Sequence, residues 1–204
     1  MKKNKILILF AHPLYEKSRV NQIINKYIPD SEYITFNDLY EEYPDFEIDT
    51  NREQDLILNH DIIIWQHPFY WYSCPALLKQ WMDMVLHFET ENDLDIHKLK
   101  GKAVFQVMSI GPQNHSYLDN SPDDRDTMDY LLPFQKTVEF SNMQYLPPYM
   151  VRIDKMNSLV DIHKKGRNYG YILEALISNF VSAQEILQFK SLNDWLTYKQ
   201  KPFG

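Results

Sequence analysis

The chain carries four consecutive aromatic residues directly after a short apolar run. The group consists of Phe69, Tyr70, Trp71 and Tyr72. Planar side chains and backbone N–H groups in one loop can stack on a flat ligand and hydrogen-bond to its edge. Alternatively, the rings simply cover the core, although loop tips normally carry polar residues. The composition favours a binding wall for a planar molecule and leaves that alternative open.

A second candidate segment, residues 12–21, reads His-Pro-Leu-Tyr-Glu-Lys-Ser-Arg-Val-Asn. It links a predicted strand to a predicted helix. A helix N-terminus binds phosphate well, because its backbone N–H groups are unpaired and the helix dipole favours an anion. His12, Ser18, Arg19 and Asn21 add side-chain donors. The alternative is an ordinary serine cap beside a surface arginine.

A third candidate segment, residues 109–117, begins Ser-Ile-Gly-Pro and continues to a histidine and a tyrosine. Gly111 would let the backbone approach a ligand closely. His115 and Tyr117 are candidate proton donors. A plain surface loop is the alternative.

Several common chemistries have no signature in this chain. None of the five glycines stands in a G-x-G-x-x-G or Walker A spacing, so a Rossmann-type nicotinamide site is not expected. The histidines show no metal-ligand spacing with carboxylates or with Cys74, so no metal site is predicted. Cys74 is the single cysteine, which excludes an internal disulfide framework, and it is interpreted as a small buried residue.

Strand and helix patterns alternate along the chain and place the three candidate segments together. The predicted strands are 6–11, 33–36, 62–66, 102–109 and 144–151. The predicted helices are 19–27 capped by Ser18, one opened by a Thr50–Glu53 capping box, one from Pro75 capped by Ser73 or Cys74, 126–141, and a long one after Val160. This alternation indicates a parallel, doubly wound α/β sheet. Ligands bind such sheets at the carboxyl ends of the strands, where the three segments would lie.

Length and charge set the remaining expectations. A chain of 204 residues without an obvious linker predicts one domain, residues 1–204. The net charge of -7 argues against nucleic acid as a partner. No secretory signal or membrane span is recognised, so the expected location is cytoplasmic. The acidic stretch 40–49 is interpreted as a solvated loop, and residues 193–204 as a docked or loose tail.

The chain resembles the flavodoxin-fold NAD(P)H:quinone oxidoreductases, the family that includes DT-diaphorase. Within that family it is most similar to the ancillary oxidoreductases of bacterial glutathione-regulated potassium-efflux systems. The segments that carry the resemblance are AHPLYEKSRVN (11–21), YPDFEID (43–49), WQHPFYWYSCPALLKQWMDMVL (65–86) and MQYLPPYM (143–150).

The resemblance implies a flavodoxin-like, five-stranded parallel sheet of order 2-1-3-4-5 and a flavin at its carboxyl edge. FMN is the expected flavin and FAD the alternative, with NADH or NADPH as co-substrate and a quinone as acceptor. The residues implied for the phosphate are His12, Ser18, Arg19, Val20 and Asn21. Those implied for the flavin ring are Phe69, Tyr70, Trp71 and Tyr72 on one side and Ser109, Ile110, Gly111 and Pro112 at its pyrimidine edge. Tyr117 or His115 would stabilise negative charge on the flavin or the hydroquinone.

Members of this family are usually homodimers, which the resemblance implies here as well. In the family, the fourth strand is commonly followed by Thr-Thr-Gly-Gly, whereas residues 108–111 of this chain read Met-Ser-Ile-Gly. This departure motivates an alternative function: a regulatory ancillary subunit of a potassium-efflux antiporter with weak or vestigial redox activity. In that role the protein would lie at the inner face of the membrane through its partner. An azo- or nitroreductase would share the same flavin site.

Overall fold

One parallel sheet organises the residues that the computed structural model describes, which are 2–87, 96–111, 127–153 and 158–200. Its strands are β1 Ile6–Phe10, β2 Ile34–Asp38, β3 Ile62–Pro68, β4 Ala103–Ile110, β5 Gln144–Tyr145 and β6 Tyr149–Arg152. Across the sheet the strands are ordered β2-β1-β3-β4-β5. β6 also pairs with β4, but along the later part of that strand, after the residues that pair with β5. The predicted flavodoxin-like class and strand order are confirmed.

The predicted fifth strand is divided into two pieces. β5 pairs with the start of β4 at Ala103 and Val104, and β6 pairs with its end. Pro147 and Pro148 lie between the two pieces. Proline has no backbone N–H, so a continuous ladder cannot pass through this pair, and the prediction of one unbroken strand was wrong.

Helices cover both faces of the sheet. Their bounds are α1 Arg19–Asn25, α2 Leu39–Glu42, α3 Thr50–Leu58, α4 Ala76–Val85, α5 Leu132–Phe140, α6 Leu159–Ile177, α7 Ala183–Ile186 and α8 Leu192–Lys199. Successive β1 residues alternate between two cores: Leu7 and Leu9 enter one, Ile6 and Ile8 the other. Both cores are apolar because the central strands are buried on both faces. Within the described ranges, no helix is both long enough and apolar enough to cross a membrane.

The helix caps agree with the sequence in one case and differ in two. Ser18 caps α1, as predicted, by accepting a hydrogen bond from the Asn21 N–H. The α3 cap is Asp49 instead of Thr50, because the Asp49 carboxylate accepts from the Arg52 N–H at 3.0 Å. Before α4, Pro75 takes the cap position without a side-chain bond, so the predicted Ser73 or Cys74 cap was wrong.

The acidic stretch 40–49 is mostly an exposed loop after α2, as the sequence interpretation expects, although its first residues belong to α2 and Tyr43 and Ile48 are buried. The Tyr43 hydroxyl donates at 2.7 Å to the fully buried Glu53 carboxylate. Asn37 and Trp81 donate to the same carboxylate at 3.0 and 2.8 Å, and Arg52 pairs with it. Glu53 of α3 thereby joins β2 through Asn37 and α4 through Trp81, and Tyr43 is the contribution of residues 43–49 to this contact.

The C-terminal segment is docked as far as residue 200. Trp195 is fully buried and donates its indole N–H to Glu185 at 3.0 Å. Asn193 accepts from the Met150 N–H at 2.8 Å and donates to the Met150 carbonyl at 2.9 Å. A side-chain amide thus satisfies main-chain groups of β6 as a neighbouring strand would, and it covers that edge of the sheet.

Candidate functional site

Three loops meet at the carboxyl edge of the sheet, as the sequence predicts. The Phe69 N–H after β3 donates to the Ser109 carbonyl of β4 at 2.9 Å. The Asn21 amide of α1 donates to the Ser109 hydroxyl at 3.0 Å. The rings of His12 and Tyr70 meet edge to face at 6.2 Å. Each pair of loops is therefore joined by a direct contact, and the candidate residues form one site.

His12 contributes a neutral imidazole to the first loop. It is buried, and its Nδ1 accepts a hydrogen bond from the Leu14 N–H at 3.1 Å. The remaining ring proton of the neutral form is then on Nε2. Burial lowers the pKa of His12 below its ordinary value, which favours this uncharged form. His12 therefore offers one N–H donor without a charge of its own.

Asn21 has one amide atom without a partner. Its Nδ2 donates to the hydroxyls of Ser18 at 2.8 Å and Ser109 at 3.0 Å. Its Oδ1 is buried and accepts no hydrogen bond from any residue in the described part of the chain. A buried unpaired acceptor is costly, roughly 1–3 kcal/mol, so it marks a place where a ligand hydroxyl or N–H would be stabilised. Beside it, Arg19 is exposed and Val20 packs on the core.

The aromatic loop is a strained two-residue turn. Tyr70 and Ser73 exchange both backbone hydrogen bonds, at 3.1 and 2.9 Å. Trp71 and Tyr72 between them have φ values of 50° and 63°. This is the type I′ arrangement, which needs positive φ at both central residues and normally carries Asn-Gly. Bulky residues in that conformation cost of order 1–3 kcal/mol each, so the surrounding structure must hold the turn in place.

Phe69 holds the aromatic loop on the core and Trp71 extends from it. Phe69 is buried, whereas the Trp71 side chain is 84% exposed. Tyr72 packs on Tyr130, with ring centroids 4.8 Å apart. Tyr130 also lies 6.4 Å from Phe69, so it supports both rings. The sequence reasoning missed Tyr130, because it belongs to a segment read only as a helix.

The third wall is described up to Gly111. Ile110 is fully buried in the core, and its carbonyl accepts from the Ile153 N–H at 2.9 Å. The branched side chain therefore points away from the ligand side of the loop. A Cβ added to Gly111 would meet no described atom within 4 Å, which leaves open space there. Pro112, His115 and Tyr117 lie outside the described residues.

A buried hydrogen-bond chain lies beneath the aromatic loop. His67 Nδ1 contacts the Pro68 carbonyl at 2.9 Å, and a carbonyl can only accept, so Nδ1 carries the proton. Nε2 then accepts from the Gln106 amide at 3.1 Å, and the Gln106 carbonyl accepts from the Tyr145 hydroxyl. Burial lowers the pKa of His67 to about 4, consistent with a neutral ring. This hydrogen-bond chain fixes the Pro68 carbonyl, which precedes the aromatic turn.

Cys74 stands close to the aromatic turn but is not an activated nucleophile. Burial raises the pKa of its thiol to about 11, so the thiol stays protonated near neutral pH. Among the described residues there is also no cluster of three or more histidine, cysteine, aspartate or glutamate residues suited to a metal ion.

The strain in the turn leads to a stability prediction. Replacing Trp71 by Asn is expected to raise the free energy of unfolding by about 1 kcal/mol, because Asn tolerates positive φ and little packing is lost at an exposed position. Chemical denaturation of both proteins measures the change. Trp71→Phe keeps the strain and serves as the control. A Trp71→Asn variant no more stable than Trp71→Phe would contradict the strain assignment.

Comparison with known proteins places this site in a family context. A family profile described as "flavodoxin-like fold" matches residues 4–169. The glutathione-regulated potassium-efflux system ancillary protein KefG of Yersinia pestis (strain Pestoides F) is 38% identical over 147 residues, which cover 72% of this chain and 81% of that protein. The resemblance stated from the sequence is thereby confirmed.

Two solved structures are also similar. General stress protein 14 of Treponema denticola, solved in complex with FMN, is 31% identical and superposes with a TM-score of 0.74, covering 84% of this chain and 99% of that chain. The NADPH-quinone reductase of P. pentosaceus is 27% identical with a TM-score of 0.70, covering 83% and 97%. The similarities support an oxidoreductase of flavodoxin-like fold.

Proposed function

Because this chain belongs to the family of flavodoxin-like fold, we propose that it binds FMN and transfers two electrons, as hydride, from NADH or NADPH to a quinone. The observation that carries the proposal is the convergence of three loops on one strand edge, with an unpaired Asn21 acceptor and a strained aromatic turn among them. The FMN complex and the quinone reductase among the similar structures support the same reading.

The residues present fit a flavin phosphate and its sugar-like chain. Arg19 is exposed beside the Ser18 cap and supplies a cation for the phosphate. His12 supplies a neutral N–H donor, and Val20 keeps the first turn of α1 seated on the core. The orphaned Asn21 Oδ1 fits a hydroxyl donor of the ribityl chain. The same residues would accept the FMN portion of FAD, which is the alternative cofactor.

The aromatic turn and the third loop fit the flavin ring. Tyr70, Trp71 and Tyr72 present partly or largely exposed rings for stacking, and Phe69 anchors them. Ser109 and the open space at Gly111 would face the pyrimidine edge of the flavin, since the Ile110 side chain lies in the core.

When bound, the flavin supplies hydride acceptance and donation, and the protein supplies position and environment. The exposed aromatic turn would stack the nicotinamide and then the quinone in one slot, so that each reaches the cofactor in turn. Tyr117 or His115 remains the proposed group that stabilises negative charge on the flavin or the hydroquinone.

The flavin-phosphate assignment can be tested by titrating the apoprotein with FMN and with riboflavin. Arg19→Gln is expected to weaken FMN binding about tenfold and to leave riboflavin binding unchanged, because only FMN carries the phosphate. Trp71→Asn, which acts on the ring, is expected to weaken both.

The matched control is Lys26→Gln, a cation removed at the opposite end of α1. Absence of saturable FMN binding would overturn the proposal. An equal loss for FMN and riboflavin in Arg19→Gln would overturn the placement of the phosphate.

A second candidate function rests on a separate observation, the 38% identity to an ancillary protein of a potassium-efflux system. In this role the chain would bind a potassium-efflux antiporter from the cytoplasmic side, with weak or vestigial redox activity. Binding to the purified antiporter without quinone turnover would favour this role. Turnover without antiporter binding would count against it.

The assembly is also proposed from the family, as a homodimer. The 84% exposed Trp71 beside the site is consistent with further burial by a second copy of the chain. Sedimentation equilibrium at micromolar concentration measures this directly, and a monomer would contradict it.

A further inference from the structure

A groove of about 350 Å³ lies at the β6 edge of the sheet and shares no lining residue with the three-loop site. One wall comes from Met150 and Arg152 of β6 and Lys165 of α6. The opposite wall comes from the C-terminal segment, including Lys190 and Asn193. The family match ends at residue 169, so half of this groove is built by residues beyond the matched region.

The groove is cationic although the chain is acidic. Among the described residues, Arg152, Lys165 and Lys190 line it together with one carboxylate, that of Asp194. The whole chain has 28 acidic against 21 basic side chains, so a three-to-one excess of cations is a local reversal. Such a concave, positively charged surface concentrates anions.

The polar side chains of Asn193 and Ser191 form hydrogen bonds that hold the C-terminal wall of the groove in place. Both amide atoms of Asn193 bond to the Met150 main chain. Ser191 donates to the Asp194 carboxylate at 2.7 Å and accepts from the Asp194 N–H at 3.2 Å, which caps α8. Neither lysine ammonium forms a hydrogen bond or ion pair with the described residues. The unpaired donors of the groove are therefore ammonium groups.

We propose that this groove binds a small molecule carrying a phosphate group. Two lysine ammonium groups suit the double charge of a phosphate monoester better than the single charge of a carboxylate. Arg152 is oriented by donating to the Thr127 hydroxyl at 2.8 Å. Met128 and Met150 supply an adaptable apolar surface for the organic part. The proposal does not depend on flavin binding, because the two sites have no residue in common.

Inorganic pyrophosphate is a suitable probe, measured by isothermal titration calorimetry on the full chain with excess FMN present and, separately, without it. Wild-type protein is expected to bind one equivalent, and Lys165→Gln/Lys190→Gln to bind at least tenfold more weakly. Lys98→Gln/Lys164→Gln removes the same charge at two exposed lysines outside the groove and is expected to bind like wild type.

Three results would overturn the proposal: no saturable pyrophosphate binding, equal losses in the two double variants, or a loss caused by Arg19→Gln instead of by the groove lysines. The FMN affinity of Lys165→Gln/Lys190→Gln is expected to equal that of wild type. A failure of FMN binding would leave the lysine-dependent pyrophosphate result unchanged, so the two proposals fail separately.

Discussion

Replacing Gly170 with alanine is expected to lower the free energy of unfolding by about 3 kcal/mol, at the upper end of overpacking effects. A Cβ at this position would stand 2.6 Å from the Tyr27 backbone carbonyl oxygen. A backbone atom cannot rotate away, so α1 and α6 would have to separate. Helix propensity alone would make this replacement stabilising by about 1 kcal/mol, because alanine favours a helix interior over glycine. A measured loss of stability would therefore be opposite in sign to the propensity effect.

Gly166 provides the matched comparison on the same helix. Its added Cβ would stand 2.3 Å from a carbon of the Tyr27 ring, which is a side chain. Removing the ring in Tyr27→Ala is therefore expected to rescue Gly166→Ala in a double variant but not Gly170→Ala. Denaturant unfolding of the single and double variants measures the difference. Wild-type stability in Gly170→Ala, or equal rescue of both, would contradict this packing.

This helix contact also positions the candidate site. α1 begins at Arg19, and its first turn places Asn21 on Ser109. Because the two glycines of α6 pack on Tyr27, two residues past the end of α1, Gly170→Ala is expected to shift α1 and thereby weaken FMN binding. The effect arises far from the ligand, through the position of one short helix.

Acidification from pH 6.5 to 4 is expected to remove about 3 kcal/mol of stability through His67 alone. Burial lowers the pKa of this histidine to about 4 in the folded protein, whereas the unfolded chain binds the proton near pH 6.5. Below pH 6.5 this histidine therefore binds a proton in the unfolded state, whereas in the folded state it stays neutral until the pH approaches 4. The loss starts at pH 6.5 and is complete below pH 4. His12 and His60, whose pKa values burial also lowers, act in the same direction.

Unfolding measured at several pH values separates His67 from other titrating groups. His67→Gln is expected to be less stable than wild type at pH 7, because it alters the hydrogen-bond chain that runs from Tyr145 to Pro68. Between pH 6.5 and 4, however, the variant is expected to lose about 3 kcal/mol less stability than wild type, because it lacks the titrating imidazole. An unchanged pH dependence in His67→Gln would contradict the buried neutral imidazole.

Local patterns predicted the parts of the fold that local chemistry determines. The apolar run after Lys5 forms β1, and Ser18 caps α1, because each depends on residues adjacent in the chain. The strand order agrees with the one that the family resemblance implies, and the meeting of three loops at one edge follows from the alternation of strands and helices. The four aromatic residues were also identified from the local sequence, because loops normally carry polar residues and seldom four aromatic residues in a row.

Features that depend on distant residues could not be predicted. The Glu53 carboxylate collects donors from Asn37, Tyr43 and Trp81, which no spacing in the sequence brings together. The positive φ values of the aromatic turn are likewise set by its backbone pairing, since no glycine marks them. The burial of Ile110 shows that this branched side chain, at the end of β4, lies in the core, which the sequence alone left undecided.

The central claim is that this chain uses a flavin to pass hydride from a nicotinamide cofactor to a quinone. The most direct measurement is the anaerobic visible spectrum of the protein reconstituted with FMN. We expect the flavin absorption to bleach when NADH or NADPH is added and to return when menadione is added. A flavin band that neither nucleotide bleaches, or that menadione does not restore, would contradict the claim.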